Sequence, residues 1–73
     1  MKDKIIKIIS RVTEIDVKDL EKDCDKTLWD SFSHIDIILS IEDEFNAMFT
    51  QEEITQAKTI DKIMQLLEGK LQK

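Results

Sequence analysis

Proline is absent from this 73-residue chain, and glycine occurs once, at Gly69. Tight hairpins rely on those two residues, because glycine reaches positive φ without a Cβ clash and proline presets φ for a turn. The connections must therefore be made of Asp, Asn, Thr and Lys, and the apolar pattern decides the fold. Apolar residues recur at three- and four-residue steps rather than in alternation, which favours helices over strands. The expected class is all-α.

The spacing predicts a first helix over Asp3 to Glu14, with Asp3 as N-cap. Ile5, Ile8, Ile9 and Val12 lie on one face, and Ile6 widens it. Residues 15–30 follow as a long polar connection, anchored by Ile15, Val17, Leu20, Leu28 and Trp29, with a short turn of helix around Val17 to Lys22. A second helix is expected from Ser31 to about Phe45. At about 100° per residue, Phe32, Ile35, Ile37, Ile38, Leu39, Ile41 and Phe45 cover over half its circumference. Ser33, Asp36, Ser40, Asp43 and Glu44 form the opposite strip. That helix is expected to be buried on several sides, to touch every other helix and to leave one acidic ridge exposed. Thr50-Gln51-Glu52-Glu53 matches a capping box and opens a short third helix through Ile54 to Ala57. Thr59 is placed to cap a final helix carrying Ile60, Ile63, Met64, Leu66 and Leu67, with Gly69 to end it. The whole, residues 1–73, reads as one domain: a small four-helix bundle of three longer helices and one short one, with a long first connection.

A chain this short has little room for a built-in active-site cleft. Cys24 is the only cysteine, so disulfides are unavailable, and one cysteine with one histidine makes no structural zinc site. The Asp-rich stretch Asp16 to Thr27 lacks the glycine and spacing of a calcium loop, so no metal is expected. No apolar run is long enough to span a bilayer, and the lysines among the first isoleucines do not suit a signal peptide. The expectation is a soluble, monomeric protein of a reducing cytoplasm.

Net charge is −5, and its distribution is uneven. Lys2, Lys4, Lys7 and Arg11 make the start basic, whereas no Lys or Arg occurs between Asp30 and Ala57, where Asp30, Asp36, Glu42, Asp43, Glu44, Glu52 and Glu53 accumulate. Such a field repels phosphate backbones and attracts basic protein surfaces, so the expected partner is a Lys/Arg-rich protein and not nucleic acid. The plainer account is that the acidic residues only keep a small domain soluble.

Ser31, directly after Asp30, stands at the start of the central helix. Its hydroxyl suits a cap. Capping is the plainer reading, and an attachment point is the competing one, because a helix N-terminus offers free amides and partial positive charge to a phosphodiester. A serine-hydrolase reading would take His34 as base, with Asp30 or Asp36 orienting it. It lacks a nucleophile elbow, an oxyanion loop and space for a substrate.

Asp30-Ser31-Phe32, followed by a long apolar helix ending in Ile41-Glu42-Asp43-Glu44-Phe45, resembles the Asp-Ser-Leu signature and following helix of acyl carrier proteins. Phe49 to Ala57 and Thr59 to Ile63 are similar to the short third and the final helix of that family, so the resemblance spans nearly the whole chain. It implies that the protein is not itself an enzyme. It implies that Ser31 carries 4′-phosphopantetheine, transferred from coenzyme A by a phosphopantetheinyl transferase, and that acyl groups ride on the arm as thioesters. It further implies that Asp30, His34, Asp36, Glu42 and Asp43 meet basic docking surfaces of acyl- or aminoacyl-activating and acyl-transfer enzymes, in fatty-acid or specialised acyl metabolism. Ile35, Leu39, Ile54 and Ile63 are candidates to line a sheltered chain, with ordinary core as their plainer role. Thr27-Leu28-Trp29 stands where a glycine is usual, and Phe32 replaces the leucine. Both departures are similar to carriers of amino acids, D-alanyl carriers included. An unmodified acidic interaction module, with Ser31 only capping, is the alternative from another class.

Overall fold

The computed structural model describes residues 1–71. They form five helices, α1 (Lys2–Thr13), α2 (Val17–Lys22), α3 (Ser31–Phe45), α4 (Gln51–Gln56) and α5 (Ile60–Leu71), and no strand occurs among them. The all-α expectation holds, with one more helix than the four expected. The extra one is α2, where a turn of helix was expected: the Asp16 side chain accepts from the Lys18 amide at 2.9 Å and starts it.

The centre of the bundle is α1, and this differs from expectation. Ile5, Ile6, Ile8 and Ile9 are all buried, and α1 packs against α2, α3 and α5. By contrast, α3 buries one side only. Ile37, Ile38 and Ile41 are sealed, while Phe32 is 91 % exposed, Leu39 57 % and Ile35 49 %. Ser33 and Ser40, expected on the outer strip, are half-buried. A chain of this size does not have enough helices to surround α3, and the side that carries Ile37, Ile38 and Ile41 turns inward.

Two helix boundaries depart from the sequence pattern. Asp3 is not the N-cap; Met1 occupies that position without a side-chain bond, and Asp3 lies in the first turn, where its charge complements the helix dipole. Gly69 does not end α5. It has no positive φ and remains helical, with open space where a Cβ would be. The left-handed terminators are instead Glu14 (φ 63°) after α1 and Asn46 (φ 52°) after α3, whose amides bond back to Ser10 and Glu42 carbonyls.

The long connection is held as expected by Leu20 and Trp29, both buried, and by half-buried Ile15, Val17 and Leu28 packed on the core. Cys24 adds an anchor that the pattern did not indicate. It is buried, its thiol donates to the Leu20 carbonyl at 3.3 Å, and its own carbonyl accepts from the Asp61 amide at 3.0 Å, fastening the connection to the start of α5. At the other end of α5, Lys70 reaches Glu53 at 2.6 Å and lies 5.2 Å from the Phe49 ring centroid, joining α5 to α4.

Candidate functional site

The N-terminus of α3 divides two tasks between neighbouring residues. Asp30 is the cap: its backbone is extended and its carboxylate accepts from the Ser33 amide at 2.9 Å. That amide, followed by the Ser33 hydroxyl, holds the Asp30 carboxyl below its usual range. Ser31 is the first helical residue and is exposed, so its hydroxyl is not the group that closes the helix end.

Beside Ser31 lies an open groove of about 570 Å³. Trp29 and Asp30 come to it from the connection, Ser31 and Ile35 from α3, Ile54 and Thr55 from α4, and Lys58 from the turn after α4. Its floor is apolar, and its rim carries hydroxyls, the Asp30 carboxylate and one ammonium. Of the four residues considered for sheltering a chain, Ile35 and Ile54 line this groove. Ile63 is fully buried in the core, and Leu39 lies on the outer surface. Lys58 was not singled out in the sequence; only the fold shows that the first lysine after the acidic block folds back to the serine.

His34, one turn after Ser31, is tied by both ring nitrogens. Nδ1 accepts from the Trp29 indole at 3.0 Å, and Nε2 lies 2.7 Å from the Ile54 carbonyl of α4. The two rings lie within 11° of parallel with centroids 6.3 Å apart. The imidazole is thus directed at Trp29 and α4 and not at the serine hydroxyl.

Among the other acidic candidates, Asp36 and Asp43 are exposed on α3, whereas Glu42 is half-buried and its Oε2 accepts from the Phe49 amide at 2.7 Å, closing the loop between α3 and α4. Two further members of the acidic block have basic partners from elsewhere in the chain, Glu44 with Lys4 at 3.7 Å and Glu53 with Lys70. Phe32, Ile35, Asp36, Leu39 and Asp43 share one face of α3 at three- and four-residue steps, giving an exposed apolar strip with two carboxylates along it. The sequence pattern identified its acidic members but assigned its apolar ones to the core.

Among the described residues no cluster of His, Cys, Asp and Glu is arranged to hold a metal ion, and no helix is long and apolar enough to cross a membrane. Comparison with family models, with curated proteins and with solved structures returns no match.

Proposed function

We propose that this chain is a carrier protein whose Ser31 holds a 4′-phosphopantetheine arm. The reading is carried by one observation: Asp30 performs the capping, which leaves the Ser31 hydroxyl exposed at the lip of a groove. In the reaction proposed, the Ser31 oxygen attacks the β-phosphate of coenzyme A, a new Oγ–P bond forms, and the pyrophosphate P–O bond breaks. 3′,5′-ADP departs, and the hydroxyl proton passes to the transferase. The product phosphodiester sits against the free amides and partial positive charge at the start of a 15-residue helix, which favours its negative charge. Catalysis belongs to the partners, and the thiol at the end of the arm carries the acyl group as a thioester. The order of the longer helices, with a long first connection and a short helix before the last, supports the carrier reading, and the cytoplasm is where we place the protein.

The exposed strip of α3 supports a docking role, in which Phe32, Ile35 and Leu39 enter an apolar recess of a partner and Asp36 and Asp43 meet its rim of Lys and Arg. As for cargo, the groove floor consists of Ile35 and Ile54, while Ile63 is packed in the core. That short floor favours a short acyl or an aminoacyl group, D-alanyl included, over a long chain.

Incubation with coenzyme A and a broad-specificity phosphopantetheinyl transferase, followed by intact-mass measurement, tests the assignment. The expected result is the gain of one phosphopantetheine on wild type and none on Ser31→Ala. No gain with several transferases supports the acidic interaction module instead.

A further inference from the structure

The His34 bridge has only one protonation form that satisfies it. An indole N–H donates and never accepts, so Nδ1 of His34 must be unprotonated where it meets Trp29 at 3.0 Å. A carbonyl accepts and never donates, so Nε2, 2.7 Å from the Ile54 oxygen, must carry the hydrogen. Both requirements select the neutral Nε2–H imidazole. A proton added to Nδ1 places a donor against a donor and breaks the bond to Trp29, while the bond to Ile54 becomes charge-assisted and persists.

We infer that His34 is a proton-gated positioning residue for the Ser31 site: protonation of Nδ1 releases the Trp29 indole and loosens the wall of the groove beside the serine. Trp29 is 9 % exposed and immediately precedes Asp30 and Ser31, so its indole fastens the segment that delivers the serine to the groove. His34 in turn joins that segment to the Ile54 carbonyl of α4. The charged and polar groups that line the groove together with His34, Ser31 among them, come from every neighbouring element. Asp30 stands on its own helix terminus, Thr27 on the preceding connection, and Thr55 on α4, with Lys58 just beyond.

The latch stands whether or not Ser31 is modified; only its bearing on an arm held at Ser31 rests on the carrier reading. The unmodified chain is a clean system, because it holds a single tryptophan and a single histidine. Nitrogen-15 NMR of the ring and of the indole N–H, followed from about pH 8 to about pH 5 across the range in which histidine changes charge, reads the device directly. At the alkaline end the ring shows the neutral Nε2–H tautomer and the indole proton resonates downfield. On acidification the ring becomes doubly protonated and the indole signal moves upfield in the same step, with helix content by circular dichroism unchanged. His34→Gln loses the step. The inference is overturned by an Nδ1–H ring at the alkaline end, by an indole signal that does not move with the ring, by the same step in His34→Gln, or by loss of helix together with it. Should His34→Gln not fold, the wild-type ring tautomer and its co-titration with the indole decide alone. Because neither coenzyme A nor a transferase is present, failure here leaves the Ser31 assignment intact, and failure to modify Ser31 leaves the latch intact.

Discussion

Among the described residues, Asp30 and Glu53 are the two carboxyl groups held below their ordinary range, Asp30 first by the Ser33 amide, and Glu53 first by Lys70 and then by the Thr50 amide of its capping box. A carboxyl whose pKa is depressed in the fold contributes its stability fully above its unfolded value and loses it as pH falls through the folded one. The urea midpoint is therefore expected to decline as pH drops below about 4, where unfolded carboxyls take up protons. Asp30→Asn keeps a capping oxygen and removes the titrating group, so its decline should be shallower than that of wild type. An identical acid slope in the two proteins contradicts the assignment of the cap. The sequence made the Asp30-Ser31 pair visible but not its division of labour, because cap and first helical residue differ by a single position and both residue types suit either place. His34 and Glu42 were legible as polar residues of the central helix. Their bonds to Trp29, Ile54 and Phe49 depend on turns and packing that no local pattern encodes.

On α3 the inward and outward faces make opposite predictions. Ile41 is fully buried, and Ile41→Ala should cost about 2–5 kcal/mol in denaturant unfolding through lost burial and the cavity left behind. Phe32 is 91 % exposed, and Phe32→Ala should change stability by less than about 0.5 kcal/mol. A large loss from Phe32→Ala would place that ring in the core and remove it from the docking strip. Helix existence and extent on α3 were readable from the apolar spacing and the Asp-Ser start. Orientation was not, because seven apolar residues around one helix exceed what a single packed side requires, and only tertiary packing selects which of them turn inward. The left-handed ends at Glu14 and Asn46 were missed for a related reason, since the pattern drew attention to Gly69, the only glycine.

Over the whole molecule, charge is segregated: a basic patch of Lys4, Lys7 and Arg11 on α1, and exposed Asp36 and Asp43 on α3. The acidic block seen in the sequence is partly neutralised from within by Lys4 and Lys70, so the field left for a partner is narrower than the residue count suggests. Attraction between exposed charges is screened at a Debye length of about 8 Å at physiological salt. Asp36→Lys combined with Asp43→Lys should therefore slow transferase modification or loading severalfold at low salt and much less at high salt, with helix content preserved. Equal rates for variant and wild type with an authentic partner would remove the carboxylates from recognition. The class of fold was legible because periodicity and the lack of turn residues act over the entire chain. The groove was not, since its residues come from two separated stretches, Thr27 to Ile35 and Ile54 to Lys58, that only the folded chain brings together.

Four serines compete for the arm, Ser10, Ser31, Ser33 and Ser40, and of these only Ser31 is exposed. Fragmentation mass spectrometry of the modified protein distinguishes them in one spectrum. The account predicts that the entire phosphopantetheine mass resides on Ser31, with the other three unmodified. Finding the arm on another residue, or finding that competent transferases leave the chain bare, contradicts it.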